Sequence, residues 1–378
     1  MIPRVYDDLD NILREGKVIV IYGPRRVGKS TLVGNYLKET HLKYKLDSGD
    51  DLVVAGILSS QSFDKINKFA AGYDLIIVDE AQRIPKVGLG LKILVDNNPK
   101  LKVLITGSSS LSLSYKIGEP LVGRMFDYIL YPVSQFEFKK NMTPFELEQK
   151  KEDFLVFGSY PEVIEAKIRE EKAKILTGIA NSYLLRDIIE LEKVGDSRIL
   201  FDLLKLIAFQ VGSEVSLTEL GSNLGIDKKT VTRYLWLFEQ SFVLYNLRGY
   251  SRNLRKEISK KSKYYFCDNG IRNAVINNFN NLSTRNDVGA LWENFLVIER
   301  LKKQEYAHIG SKYNNYFWRT WDKKEIDWVE MRDGKLFGYE FKWGGKKPSK
   351  SKDAWLETYK NEAEFETINQ ENYLEFIT

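Results

Sequence analysis

The feature of this sequence that most constrains its fold is the segment "KVIVIYGPRRVGKST", residues 17–31. An apolar, β-branched run is followed by a glycine-rich loop and then by "STLVGNYLKET", which has the spacing of a helix. Two later apolar runs, residues 73–82 and 101–110, lack strict alternation, as strands buried on both faces of a parallel sheet do. We expect a last strand near residues 125–131. Together these runs predict an α/β core.

The glycine-rich loop has the residues of a phosphate-binding site. Gly23, Gly28, Lys29 and Ser30 complete the pattern G-x-x-x-x-G-K-[ST] between a strand and a helix. Backbone N–H groups of such a loop surround phosphates, the lysine reaches the β- and γ-phosphate oxygens, and the hydroxyl contacts Mg²⁺. We therefore predict nucleotide contacts along the whole loop, at Gly23, Pro24, Arg25, Arg26, Val27, Gly28, Lys29, Ser30 and Thr31.

A pair of carboxylates ends the next clear strand. In "IIVDEAQ", Asp79 can position Mg²⁺ and Glu80 can polarise the attacking water, so hydrolysis is favoured over binding alone. Guanine-specific proteins with this loop usually contain Asn-Lys-x-Asp, whereas Asn67 and Lys68 continue here as "FAAG" without the aspartate. The sequence therefore predicts a Mg²⁺-dependent ATPase.

Polar residues near the other strand ends are weaker candidates. Thr106, Ser108 or Ser109 follows the run "LKVLIT", where a sensor of the γ-phosphate would belong, or forms an ordinary Gly-Ser turn. Arg124 in "VGRMF" is either a charge-stabilising arginine, within the chain or across a subunit interface, or a surface arginine.

Residues 216–244 have the spacing of a helix-turn-helix. Ser216 with Glu219 predicts a capping box, and Gly225 predicts the turn before a second helix. On that helix an apolar stripe would face inward and leave a basic face outward, as in a DNA-recognition helix followed by a basic wing. The predicted DNA-contacting residues are Lys228, Lys229, Thr232 and Arg233 on the helix and Lys256, Lys260 and Lys261 on the wing. The alternative is a winged helix that binds a protein.

The segment "EIDWVEMRDGKLFGYEFKW", residues 325–343, predicts a hairpin with an Asp-Gly turn. In such a hairpin opposed residues have numbers that sum to 667, so Asp327 faces Glu340. A divalent cation would relieve the repulsion of these carboxylates, Glu293 on the preceding helix would add a third ligand, and Lys342 would stabilise charge. The alternative is an ordinary hairpin in which Glu325 pairs with Lys342 and the other carboxylates are solvated.

Composition limits the other classes of protein to which this chain could belong. The 57 Lys and Arg exceed the 52 Asp and Glu by only five, so net charge alone does not indicate a nucleic-acid partner. One cysteine, Cys267, and two histidines, His41 and His308, leave too few ligands for a zinc site or a disulfide framework. No apolar run reaches the roughly 18 residues of a membrane span, and the first residues lack a signal-peptide pattern. We therefore expect a soluble, cytoplasmic protein.

With these motifs in this order, the chain resembles a bacterial and archaeal family of predicted AAA+ superfamily ATPases with a C-terminal domain of unknown function. The resemblance rests on "GPRRVGKSTL", "LIIVDEAQRI", "LITGSSS", "LVGRMFDYILYPVSQFEF", "FGSYPEV", "YLLRDI", "YFCDNGIRNAV", "GALWENFLVIERL" and "EIDWV" with "GYEFKW". It implies an AAA-type core with Lys29, Asp79 and Glu80 in the nucleotide roles, a winged helix, and a PD-(D/E)XK nuclease-like fold. The usual Pro-Asp pair of such nucleases is "IDW" here.

The expected architecture is therefore a P-loop AAA-type ATPase core at residues 1–138, a helical lid at 139–196, a winged helix-turn-helix at 197–262 and a restriction-endonuclease-like α/β domain at 263–378. The leading hypothesis is an ATPase that engages DNA and couples hydrolysis to this last domain, with a second Mg²⁺ or Mn²⁺. The alternative is an ATP-controlled switch or scaffold, binding DNA or protein, whose nuclease-like domain is inactive. An oligomer fits either hypothesis.

Overall fold

The computed structural model describes residues 2–108, 120–184, 197–251, 262–307, 314–344 and 350–378. The chain forms two compact units, one from Met1–Pro132 with Gln240–Phe242 and the other from Val133–Glu239 with Val243–Thr378. Among the helices within these ranges, none combines the length and apolar character needed to cross a bilayer.

The first unit is a parallel five-stranded sheet with helices. Its strands are arranged in the order β2-β3-β4-β1-β5, and the neighbouring strands all run parallel. The mixed α/β fold with a parallel sheet that the sequence predicts is confirmed. The strands are β1 (Lys17–Tyr22), β2 (Tyr44–Ser48), β3 (Leu75–Asp79), β4 (Lys102–Gly107) and β5 (Met125–Ile129). The helices are α1 (Lys29–Glu39), α2 (Leu52–Ser59), α3 (Phe63–Ala70) and α4 (Val87–Asn97), with short 3-10 helices at Leu9–Asn11 and Ala81–Arg83.

The order of these strands determines where a ligand can bind. Residues 18–21 of β1 and 75–78 of β3 are almost wholly buried, as expected for strands covered on both faces. Since the strands are parallel, their carboxyl ends meet at one edge of the sheet, which is where α/β sheets bind ligands. The glycine-rich loop and the acidic pair both lie at that edge.

The second unit begins with short helices. Several start at residues that satisfy free backbone N–H groups; Ser134 and Thr143, for example, each form a complete capping box. Its helices are α5 (Gln135–Phe138), α6 (Pro144–Gln149), α7 (Lys151–Phe157), α8 (Pro161–Glu165), α9 (Arg169–Gly178), α10 (Ser197–Phe209), α11 (Leu217–Leu224), α12 (Lys228–Gln240), α13 (Asn269–Val275), α14 (Val288–Tyr306), α15 (Lys350–Tyr359) and α16 (Tyr373–Ile377). A π-helical turn spans Ile179–Leu184, and 3-10 helices span Leu282–Thr284 and Lys360–Glu362.

The second unit also contains a mixed sheet in the order β11-β10-β9-β8-β6-β7. Its strands are β6 (Leu244–Gly249), β7 (Ser262–Phe266), β8 (Asn315–Arg319), β9 (Glu325–Arg332), β10 (Lys335–Phe341) and β11 (Ala363–Ile368). The hairpin register predicted from the Asp-Gly turn is confirmed, because Met331 pairs with Leu336 and Trp328 with Tyr339. Asp333 and Gly334 both have positive φ, 49° and 78°, as a two-residue hairpin turn of this kind requires.

The sheet crosses a boundary that the sequence placed between domains. β6 pairs with β7 and also with β8, so the expected winged-helix hairpin and the expected C-terminal domain share one sheet, and residue 262 is the first residue of β7. At the other predicted boundary, α5 belongs to the second unit, where Gln135 N donates to the Glu299 carboxylate at 2.6 Å. The division into two units thus falls between Pro132 and Val133, and the predicted domain boundaries stay a prediction.

A buried ion pair fixes α14 against this sheet. Arg300 on α14 donates to both oxygens of Glu330 on β9, at 2.6 and 2.9 Å, and to the Phe376 carbonyl at 2.7 Å. Both side chains of the pair are buried. Such a bidentate pair gives geometric specificity as well as energy, so it helps to position α14, the helix that contains Glu293.

Candidate functional site

The loop between β1 and α1 is compact because two of its residues adopt left-handed backbone conformations. Arg26 has φ 63° and Gly28 has φ 95°. At the start of the loop Gly23 packs so closely that a Cβ there would lie 2.1 Å from the Leu130 carbonyl oxygen. Only glycine fits such a close backbone approach. The loop thus ends directly at the N-terminus of α1, where unpaired backbone N–H groups favour anions.

Lys29 places its charge over the loop. The side chain is 6% exposed, and its Nζ donates to the carbonyl oxygens of Gly23 at 2.9 Å and Pro24 at 2.8 Å. These contacts hold the ammonium group at the loop rather than in solvent. Lys29 therefore lies at the loop, and its contact with phosphate stays a prediction.

Ser30 and Asp79 come together from two different elements. Ser30 Oγ, on α1, donates to Asp79 Oδ2, at the end of β3, at 2.8 Å. A hydroxyl and a carboxylate are oxygen ligands of the kind that Mg²⁺ prefers. The donor set at this edge therefore fits a Mg²⁺ ion, which Ser30 and Asp79 would hold.

Two further residues orient the acidic pair, Thr106 near the end of β4 and Gln82 in the 3-10 helix after β3. Buried Thr106 donates to Asp79 Oδ1, and the Glu80 backbone N–H contacts Thr106 Oγ1 at 3.4 Å. Gln82 donates its amide Nε2 to Glu80 Oε2 and lies 3.1 Å from Ser108 Oγ. Sequence reasoning missed Gln82, although its place two residues after Glu80, in "DEAQ", was the available signal. The third sensor candidate, Ser109, lies outside the described residues.

The in-chain role predicted for Arg124 requires correction. Its backbone carbonyl accepts a hydrogen bond from Val18 N at the start of β1, so Arg124 lies at the opposite edge of the sheet from the phosphate loop. There its side chain pairs with Asp96 near the end of α4, with an Nε–Oδ1 distance of 2.6 Å. The physical reason is the parallel pairing of β5 with β1, which places residues before β5 beside the beginning of β1.

The two helices α11 and α12 lie where the helix-turn-helix spacing predicts them. Ser216 caps α11, Gly225 adopts φ 66° in the turn, and Asp227 accepts hydrogen bonds from the Lys229 and Thr230 N–H groups. The inward stripe of α12 is buried at Val231, Leu235 and Phe238. All four predicted outward residues are exposed: Lys228, Lys229, Thr232 and Arg233.

The outward face of α12 has one feature that sequence reasoning missed. Trp236 is 37% exposed on the same helix, one turn after Arg233. Lys256, Lys260 and Lys261, predicted for the wing, lie outside the described residues.

The C-terminal carboxylates surround a buried lysine that sequence reasoning missed. Lys263, on β7, is 1% exposed, and its Nζ lies 3.4 Å from Glu293 Oε1 and forms an ion pair with Glu325. Burial opposes its charging, but the carboxylates of Glu293, Asp327 and Glu325 raise the pKa of Lys263 above its ordinary value. Tyr265 OH also donates to Glu293 at 2.7 Å. The lysine therefore provides the positive charge at the centre of this cluster.

The structure brings only some of the other predicted residues of this cluster together. Burial and Glu293 raise the pKa of Asp327 to about 8, and its Oδ2 accepts the Phe341 N–H at 2.8 Å. Glu340 pairs with Lys342 at 2.5 Å, while its Oε2 is buried without a hydrogen bond. Glu325 pairs with Lys263 and with Arg319, not with Lys342. Within the described ranges no group of three or more His, Cys, Asp or Glu could hold a metal ion.

Three family models match parts of this chain. Residues 15–139 match an AAA domain, residues 148–282 a domain of unknown function (DUF8612), and residues 288–372 a domain of unknown function (DUF4143). The phosphate loop, the acidic pair and the whole parallel sheet fall within the first match. Residues 15–139 are therefore similar to an AAA domain, the class of core that the sequence predicted.

Curated proteins similar to this chain occur in bacteria and archaea. An uncharacterized protein of Haemophilus influenzae is 26% identical over 337 residues, which cover 83% of this chain and 79% of that protein. An uncharacterized protein of Mycobacterium tuberculosis is 27% identical, covering 88% and 72%. One from Methanocaldococcus jannaschii is 23% identical, covering 87% and 75%.

Two solved structures give weak superpositions. A signal transduction ATPase with numerous domains, with a tetratricopeptide repeat sensor, from Pyrococcus horikoshii superposes with a TM-score of 0.27 at 14% identity. The alignment covers 78% of this chain but only 46% of that one, less than half its length. A structure described as the basis for katanin self-assembly gives a TM-score of 0.27 at 16% identity, covering 62% and 78%.

Replacing Lys263 tests whether it holds the acidic cluster together. We expect Lys263→Met to lower the free energy of unfolding of the second unit by about 3–5 kcal/mol at pH 7, because it leaves the half-buried carboxylates of Glu293 and Glu325 without their buried cation. All seven tryptophans lie between residues 236 and 355 in this unit, so urea unfolding followed by tryptophan fluorescence reports on it alone.

The matched control is Lys335→Met, which removes an exposed ion pair with Glu364 in the same sheet. Its expected cost is less than about 1 kcal/mol. Equal effects of the two substitutions would contradict a central role for Lys263.

Proposed function

We propose that this protein hydrolyses MgATP at the carboxyl edge of the parallel sheet. The observation that carries the proposal is the 2.8 Å contact between Ser30 and Asp79, which brings the loop hydroxyl and the strand-end carboxylate together beside Lys29. The match of residues 15–139 to an AAA domain supports it. The missing aspartate after Asn67 and Lys68 favours ATP over GTP.

The residues at this edge divide the work of hydrolysis among them. The loop N–H groups and Lys29 bind the phosphates. Ser30 and Asp79 would hold Mg²⁺, which when bound would neutralise phosphate charge. Glu80 orients and polarises the attacking water. Gln82 fixes the Glu80 carboxylate, and Thr106 fixes that of Asp79. Because both carboxylates are held by neighbours, little reorganisation is needed during the reaction.

The role of Lys29 can be tested by its removal. Lys29→Ala should lower steady-state phosphate release by more than about 100-fold, because the transferred phosphoryl group loses its nearest protein cation. The matched control is Lys38→Ala, which removes an exposed lysine from the same helix and should leave turnover unchanged.

A companion variant separates binding from chemistry. Glu80→Gln should keep MgATP affinity near that of the wild type while turnover falls, since only the water-polarising carboxylate is lost.

Undiminished turnover in purified Lys29→Ala would refute the assignment of this site.

We further propose that the outward face of α12 engages duplex DNA. Four polar or basic side chains, Lys228, Lys229, Thr232 and Arg233, are exposed on one helix whose other face is buried. This arrangement suits phosphate and base-edge contacts in a groove. The other candidate for this face is a protein partner.

The DNA proposal predicts a specific salt dependence. The double variant Lys228→Ala, Lys229→Ala should weaken duplex binding and reduce the steepness of the log–log salt plot by about 1–2, because each lost phosphate contact removes about 0.9 from the slope. Lys205→Ala, on the neighbouring helix α10, is the control. Unchanged affinity and slope in the double variant would favour a protein partner instead.

For the C-terminal sheet we propose a binding or scaffolding role that responds to ATP, rather than DNA cleavage with a second Mg²⁺ or Mn²⁺. The buried charge of Lys263 among Glu293, Glu325 and Asp327 supports this proposal, because a divalent cation there would meet a fixed ammonium group.

An oligomer in which Arg124 reaches the phosphate site of a neighbouring subunit stays a prediction.

Plasmid nicking distinguishes the two roles of the C-terminal sheet. We expect no nicking of supercoiled DNA in Mg²⁺ or Mn²⁺ by the wild-type protein. Nicking by the wild type that Asp327→Ala abolishes, and that Lys29→Ala retains, would instead establish a metal-dependent nuclease at the paired carboxylates.

A further inference from the structure

Arg4 buries its guanidinium group against the phosphate loop. The residue is 6% exposed, and its Nη1 donates to the Val27 carbonyl oxygen at 2.5 Å while Nη2 donates to that of Tyr131 at 2.6 Å. The Arg4 backbone N–H donates to Asp7 Oδ2 at 2.7 Å, which holds the residue in a local turn. A charged side chain from outside the loop motif thus binds the backbone of the motif itself.

The carbonyl that Arg4 holds belongs to the same peptide group as the Gly28 N–H. A trans peptide is planar, and its C=O and N–H point in opposite directions. A donor that fixes the Val27 oxygen on one side therefore fixes the direction of the Gly28 N–H on the other. Gly28 directly precedes α1, and N–H groups at this position are those that bind phosphate in loops of this kind.

The loop needs such support because its backbone is strained. Arg26 and Gly28, two residues apart, both have positive φ, and Arg26 has a side chain that disfavours this conformation. Strained conformations persist where surrounding contacts over-determine them. The hydrogen bond from a cation also polarises the peptide group and strengthens its N–H as a donor.

The second amino group of the Arg4 guanidinium, Nη2, connects the end of the phosphate loop to the segment beside its beginning. Tyr131 follows Leu130, whose N–H donates to the Tyr22 carbonyl at 2.8 Å and whose oxygen packs against Gly23. Arg4 therefore connects Val27, late in the loop, to the segment beside its first glycine. This requires two donors in a planar fork, which arginine has and lysine lacks.

We propose that Arg4 is a positioning residue for the phosphate loop: by holding the Val27 carbonyl, it aims the Gly28 N–H at the phosphates of bound ATP. This proposal rests on the proposed ATP hydrolysis at the loop and adds a residue that its sequence motif does not contain.

The test compares Arg4→Ala and Arg4→Lys with the wild type. The Kd for a fluorescent ATP analogue is measured by titration, and KM and kcat by phosphate release. Loss of a charge-assisted contact should raise the Kd and KM of Arg4→Ala by roughly 10- to 100-fold. Arg4→Lys should recover part of the affinity, and millimolar guanidinium ion should rescue Arg4→Ala but not Lys29→Ala. The control is Arg14→Ala, which removes an exposed arginine of the same N-terminal segment and should change neither constant.

The outcomes separate this proposal from the proposed hydrolysis. A folded Arg4→Ala that binds the analogue like the wild type overturns the positioning role, even if its melting temperature falls. If Arg4→Ala does not fold, Arg4→Lys decides, and wild-type affinity in that variant overturns the proposal. A wild-type protein that binds the analogue without releasing phosphate would overturn hydrolysis alone, because the Kd comparison would still stand. A wild-type protein that does not bind the analogue would overturn both.

Discussion

The hydrogen bond from Ser30 to Asp79 joins the helix after the phosphate loop to the strand that ends in the acidic pair. It depends on the register of the buried sheet. Ile21 of β1 pairs with Thr106 of β4, and Val78 of β3 pairs with Ile105, so the last residues of three strands lie side by side. A shift of one residue in any of these pairings would turn Thr106 or Asp79 to the other face of the sheet. The apolar core thus controls the positions of Thr106 and Asp79 at the site.

The second unit shows how buried cations organise carboxylates. Lys263, Arg300 and Lys302 are each at least nine-tenths buried, and each contacts a carboxylate within its own unit. Lys302 also lies 3.2 Å from Ser159 Oγ. A buried charge without a partner costs several kcal/mol, so acidic residues near these cations are first of all their partners. In the linear sequence Glu293 and Asp327 resemble metal ligands because the cation beside them, Lys263, comes from a distant segment.

Local patterns in the sequence predict much of this structure. The phosphate loop is marked by its glycines, the hairpin register follows from Asp333 and Gly334, and the buried stripe of α12 follows from helical spacing. Each of these signals lies within about 20 residues, because the turns and periodicities that produce them are local.

What the sequence could not predict depends on contacts between distant segments. Arg124 lies at the wrong edge of the sheet for an in-chain catalytic role because β5 pairs with β1, a pairing that the local sequence does not encode. Lys263 precedes Glu325 by more than 60 residues, and Arg4 lies outside the motif whose backbone it binds. The shared sheet of β6 to β8 likewise crosses the boundary that the sequence analysis placed after residue 262.

Lys29 already donates hydrogen bonds to the Gly23 and Pro24 carbonyl oxygens. An anion that binds this ammonium group must therefore replace these backbone partners. An incoming anion must compete with two backbone oxygens for one ammonium group, so the loop carbonyls act as internal competitors. A small monovalent anion would offer this ammonium group less charge and fewer oxygens than a polyphosphate. A polyphosphate offers several oxygens at once and also occupies the N–H groups of the loop. At the proposed ATP site this competition would favour a chain of phosphates over a single small anion.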